Sequence, residues 1–97
     1  MGSINSKIDS ESAAEFTMIH LAELRVGESA RILDVCPDDN GYQQRLFALG
    51  LIPGAEFTVT HIAPLGDPVL LQTRFGIISI RKKEAHQLQI ERVTKDL

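Results

Sequence analysis

The side chains best suited to chemistry in this chain are its single cysteine, Cys36, its histidines His20, His61 and His86, and the acidic pair Asp38–Asp39. A thiolate could act as nucleophile or soft metal ligand, but no histidine or aspartate stands at a local spacing that makes a dyad with Cys36. A small apolar strand residue is the simpler role. The histidines lie far apart in sequence, with no H-x-x-x-H or C-x-x-C spacing to bring ligands onto one helix turn or knuckle. Asp38–Asp39 reads as a solvated turn and helix start, where carboxylates suit the exposed amides. Gly50, Gly54 and Gly66 each have a turn or cap role, so they form no phosphate loop. Arg81-Lys82-Lys83 reads as a solvated surface turn that could also pair with an acidic partner patch. These residues make up no catalytic constellation, so no enzyme activity, cofactor or metal site is expected from them.

Size and composition narrow the classes further. Ninety-seven residues make one domain, near the lower end of what folds alone. Hydrophobic residues are 43% and charged ones 24%, with a net charge of −3, which is an ordinary globular profile. That balance excludes a nucleic-acid clamp, which needs a clustered basic face. A lone cysteine forms no internal disulfide and fits a reducing compartment. The apolar runs are far shorter than the ~20 residues that span a bilayer, so no direct membrane insertion is expected. Residues 1–17 are polar and aperiodic, lack the pattern of a signal peptide, and end just before Met18. They read as a disordered expression leader, with a natural disordered arm as the rival reading, and the domain as residues 18–97. Setting aside Lys7, Asp9, Glu11 and Glu15 leaves nine basic against ten acidic residues.

The elements that must position these side chains are short. Leu21, Leu24 and Val26 lead into Gly27 as a turn that buries two leucines. Strands are expected at Ser29–Cys36, Glu56–Ala63, Val69–Arg74, Ile77–Arg81 and Leu88–Val93. In the first, Ala30 and Ile32 alternate inward and Val35 is out of phase, which places a bulge near Leu33–Asp34. In the second, Phe57, Val59 and His61 share a face. A helix over about 41–49 begins with Asn40 and Gln43 in a capping box and ends at Gly50 in the left-handed position. Pro53-Gly54 suits a type II turn, and a helical turn falls near 82–86. Five short strands with turns this frequent make a small, closed antiparallel barrel, mainly β, with one short helix.

One stretch exceeds what such a helix can bury. Leu46, Phe47, Leu49, Leu51 and Ile52 are large apolar residues packed around the helix end. A short helix on a barrel buries one stripe; Tyr42, Leu46 and Leu49 can share it, whereas Phe47 is turned about 100° from Leu46. Phe47, Leu51 and Ile52, with Leu65 in a neighbouring loop, are therefore expected to form an exposed partner surface.

Arg45-Leu46-Phe47-Ala48-Leu49-Gly50-Leu51-Ile52-Pro53-Gly54 resembles the R-L-x-x-L-G-L-x-P-G signature of the ferrous-iron transport protein A (FeoA) family. Ala63-Pro64-Leu65-Gly66-Asp67-Pro68 and Ile77–Ile80 followed by Arg81-Lys82-Lys83-Glu84-Ala85 are similar to its second and third motifs, in order and at the expected distance. The likeness runs from about Ile19 to Val93. It implies an SH3-like barrel with a helical insertion. It also implies a cytoplasmic accessory role in bacterial ferrous-iron uptake, beside a membrane permease that carries a GTPase domain (FeoB-like), which would recruit the chain to the inner membrane. By that analogy the chain modulates or assembles the permease. Family members are sometimes credited with stimulating GTP hydrolysis, which usually requires a transition-state arginine; here Arg45 or Arg74 would be the bearer. Partner-binding residues are thus expected at Arg45, Phe47, Leu51, Ile52 and Leu65, toward the permease or a second copy in a homo-oligomer. The alternative is a metal-responsive domain using His61, Cys36 and nearby carboxylates, related to the C-terminal domain of iron-dependent repressors. A proline-peptide groove would need an aromatic lining, and the chain has no Trp, one Tyr and four Phe.

Overall fold

A computed structural model describes residues 18–94; the leader expected over 1–17 lies outside them. A 3-10 turn, Leu21–Glu23, precedes the strands. The order is then β1 (Ser29–Val35), α1 (Tyr42–Ala48), β2 (Glu56–Ile62), β3 (Val69–Thr73), β4 (Gly76–Ile80), α2 (Lys82–Ala85) and β5 (Leu88–Val93). The five strands form one antiparallel sheet in the order β4-β3-β2-β1-β5.

β1 pairs Ile32 with Ile90 and then Asp34 with Gln89, so Leu33 is an extra residue. That bulge returns Val35 to the core beside Ala30 and Ile32, as the out-of-phase pattern anticipates. A second irregularity is not visible in the sequence. Between Val59↔Leu71 and His61↔Leu70 the register of β2 slips, and His61 emerges exposed instead of sharing a face with Phe57 and Val59.

Among the described residues no ladder joins β4 to β5, so the barrel is not closed by hydrogen bonds as expected. Side chains bridge that gap instead: Ile80 on β4 and Ile90 on β5 are buried in one core with Leu46, Leu51, Phe57 and Leu71. The two outer strands differ. β5 is capped by Ile19, whose backbone N–H donates to the Ile90 carbonyl at 3.0 Å. Arg31 on β1 reaches Glu56 on β2 at 3.0 Å and Glu91 on β5 at 2.7 Å, tying strands on either side of it. Among the described residues β4 has no such cover.

Candidate functional surface

The surface expected from sequence centres on α1, whose start is set by a side chain before it and whose stop by the backbone of a glycine after it. Asp38, not Asn40 with Gln43, caps the helix. Its carboxylate accepts amide hydrogens from Asn40 at 2.9 Å, Tyr42 at 3.2 Å and Gln43 at 3.0 Å. Those bonds, Gln43's first, hold the Asp38 pKa below the usual carboxylate range, against a smaller opposing effect of burial. Gly41 occupies the N-cap position in a left-handed conformation.

At the other end Gly50 adopts φ +92°. Its N–H donates to the Phe47 carbonyl at 2.9 Å, and the Leu51 N–H donates to the Leu46 carbonyl at 3.0 Å. This paired pattern is the Schellman motif, which habitually sets the residue after the glycine against the last turn of the helix. Leu51 is accordingly 0% exposed. The expectation that Leu51 lies on the partner surface is therefore corrected: it is core. Next, the Ala55 N–H donates to the Ile52 carbonyl at 2.9 Å across Pro53-Gly54, where Gly54 has φ +92°, as a type II turn requires.

Phe47, 40% exposed, and Ile52, about half exposed, do lie on the surface. Their neighbour is one that the sequence reading did not single out. The Phe75 ring lies directly on Gly50, so that a Cβ there would sit 3.0 Å from Phe75 Cδ2. Phe75 is nevertheless 75% exposed, with the Arg74 guanidinium 5.7 Å from its ring centroid. The signal was present: Phe75 stands in a tight Thr73–Gly76 reversal, where the turn tip leaves no interior for a ring. The Thr73 hydroxyl closes that turn, donating to the Gly76 carbonyl and accepting from the Phe75 N–H, each at 3.0 Å.

Leu65 is 92% exposed but has a different setting. Its loop is fastened to α2, where Asp67 Oδ1 accepts the Lys82 N–H at 3.0 Å and the Lys82 ammonium lies over Gly66. The loop borders a largely apolar hollow of about 420 Å³ between the 3-10 turn and α2, lined by His20, Leu21, Val69, Lys82, Ala85 and His86 among others.

Arg45 is not a free cation. Its Nε donates to the carboxylate of Glu84, a buried residue on α2 whose other oxygen accepts the Arg81 N–H at 3.0 Å. Arg45 thus neutralises the one buried acid among the described residues and links α1 to α2. Arg74 is exposed and makes no ion pair among the described residues.

His20 and His86 line both the hollow above and a second one of about 350 Å³, which Cys36 and Gln89 also border. Gln89 Nε2 is 3.2 Å from Cys36 Sγ. His61 stands apart on β2. Among the described residues no three His, Cys, Asp or Glu side chains group as a metal site would need. Nor is any described helix long and apolar enough to cross a membrane.

Comparison with known proteins agrees with the resemblance read from the motifs. Residues 19–92 match the FeoA domain family. A Porphyromonas gingivalis protein described as an Fe(2+) transport protein A/Fe(2+) transporter FeoB fusion is 29% identical over 79 residues, covering 80% of this chain. The chain spans only 9% of that relative's length. The solution structure of a FeoA-like protein from Clostridium acetobutylicum is 25% identical, with a TM-score of 0.72 over 82% of this chain and 92% of that one. The crystal structure of Stenotrophomonas maltophilia FeoA complexed with zinc, described as an SH3 domain protein, is 28% identical, with a TM-score of 0.64 over 75% of this chain and 89% of that one.

Proposed function

The chain belongs to the FeoA family, and on that premise we propose that it is a non-catalytic accessory protein of ferrous-iron uptake. It binds a membrane permease carrying a GTPase domain from the cytoplasmic side, and modulates or assembles it. The observation that carries this reading is the Porphyromonas relative, in which a region like this chain is covalently joined to an Fe(2+) transporter. Where the two halves are separate chains, a surface must replace the covalent link. Phe47, Ile52 and Phe75, gathered around Gly50, are the apolar side chains suited to it. Leu65 and its loop offer a second contact.

The test is a pull-down of the folded domain against the permease's GTPase domain, with GDP, with a GTP analogue and without nucleotide. Binding that depends on nucleotide supports a regulator, and binding that ignores it supports an assembly factor. Failure to bind both the GTPase domain and the whole permease in detergent sinks the proposal.

A metal-responsive domain is the second reading, and what favours it is the zinc held by the Stenotrophomonas relative. In this chain His61 stands apart on β2, and His20, Cys36 and His86, although they border one hollow, do not group as a metal site would need, so binding would require these side chains to rearrange. Calorimetric titration with zinc or ferrous iron decides it, since absence of saturable heat at micromolar metal removes the reading.

A further inference from the structure

β4 ends the sheet, and beyond its ladder with β3 its residues Gly-Ile-Ile-Ser-Ile make no backbone–backbone hydrogen bond among the described residues, the Gly76 carbonyl being taken by the Thr73 hydroxyl. Proteins ordinarily guard such an edge with lysine, proline, a bulge or a covering segment. β5, the other outer strand, has these protections: Ile19 covers it, and Glu91 and Arg92 lie within it. β4 has none. It contains no charge and no proline, its pairing with β3 runs without a bulge, and its Ile77 side chain is 59% exposed. Its two ends are basic. Arg74 precedes it, Arg81, Lys82 and Lys83 follow it, and none of the four forms an ion pair among the described residues. Of the acids beside that cluster, Glu84 is buried against Arg45 and Asp67 accepts the Lys82 N–H at 3.0 Å, so Arg74, Arg81 and Lys83 are the cations left for a guest strand.

We propose that the free edge of β4 is a strand-addition site for an extended segment of another protein, apolar or β-branched over about five residues and acidic at both ends. Backbone pairing along Gly76–Ile80 supplies the affinity, and a strand of that length spans about 17 Å, placing acidic ends beside Arg74 and beside Arg81 and Lys83. Ile77 and Phe75 offer apolar contact to alternate side chains of the guest. Charge selects this occupant over a second copy of the chain. In antiparallel self-pairing centred on Ile78, Arg74 of one copy faces Lys82 of the other at both ends, which sets like charges together. The site meets the Phe47–Ile52 surface only at Phe75, and its test needs no permease.

The probe is a synthetic peptide of alternating Val and Thr with two Glu at each end, about nine residues in all, titrated into the isotopically labelled chain. Amide shifts and slowed hydrogen exchange concentrated at Gly76–Ile80 are expected. A peptide with a central proline, or with Lys in place of Glu, should bind at least about tenfold more weakly. Ile77→Lys and Ser79→Lys, both at exposed positions, should weaken the acidic-ended peptide while leaving the fold intact. The double reversal Arg74→Glu with Arg81→Glu should exchange the preference toward the Lys-ended peptide. Equal binding of both peptides, shifts centred on the α1 end or the α2 hollow, no binding at millimolar peptide, or dimerisation of the chain through β4 would each overturn the proposal.

Discussion

The Leu51 backbone N–H donates to the Leu46 carbonyl at 3.0 Å, and both side chains are completely buried. That pairing folds the helix end back into the core and separates Leu51 from its neighbours Phe47 and Ile52. Leu51→Ala is therefore expected to destabilise the fold by about 2–5 kcal/mol, the cost of emptying a well-packed leucine site. Phe47→Asp, at an exposed position, should change stability by about 0.5 kcal/mol or less and yet abolish permease binding. Thermal unfolding of the two variants, paired with the pull-down, separates core from surface. A Phe47→Asp protein that folds and still binds would remove Phe47 from the interface.

Gly50 is constrained twice, by φ +92° and by the Phe75 ring above it. Gly50→Ala should cost about 1–3 kcal/mol, because a side chain in left-handed backbone is strained even in open space. Adding Phe75→Ala relieves the steric part and leaves the conformational part. A double-mutant cycle read by denaturant midpoint should thus give a non-zero coupling; strict additivity would mean that the ring moves aside freely.

These two sites also mark what the sequence could and could not disclose. Alternation in Ala30, Ile32 and Val35 located both the strand and its bulge, because a buried face leaves a period-two record. The β2 slip left none, since Thr60 and His61 are both exposed and either phase is tolerable there. Gly50 was legible as a helix stop. The Schellman geometry that follows from it turns Leu51 inward, a consequence of helix termination that the periodicity of a helical wheel does not contain. Phe75 and the Arg45–Glu84 link depend on contacts between segments distant in sequence, for which a single sequence has no periodic signal.

Acid should loosen α1 specifically. Hydrogen bonds from Gln43, Tyr42 and Asn40 lower the folded-state pKa of Asp38. For a depressed carboxyl the stabilisation is fully present above the unfolded value of about 3.9 and is lost as pH falls through the lower folded value. Stability measured by denaturant at successive pH values should fall below about pH 4, with Asp38→Asn flattening that part of the curve. Loss of helix amide protection should appear first at Tyr42 and Gln43. An unchanged pH profile in the variant would assign the acid sensitivity to other carboxylates.

Arg45 distinguishes a structural from a catalytic arginine. Because it satisfies buried Glu84, Arg45→Ala should destabilise the domain by about 1–3 kcal/mol, the cost of leaving a buried acceptor without its charged donor. Glu84→Gln keeps an oxygen for the Arg81 N–H and should lose less. If Arg45 acted as a transition-state finger, any stimulation of the permease's GTP hydrolysis would drop by orders of magnitude in Arg45→Ala, even where the variant stays folded. If its role is the Glu84 link, stimulation per folded molecule should persist, and Arg45→Ala paired with Glu84→Gln should recover part of the lost stability. Arg74, exposed and stacked over Phe75, is then the arginine whose removal should alter the hydrolysis rate with little change in melting temperature. A rate unchanged by either substitution would leave the domain acting by assembly rather than by supplying charge to the nucleotide.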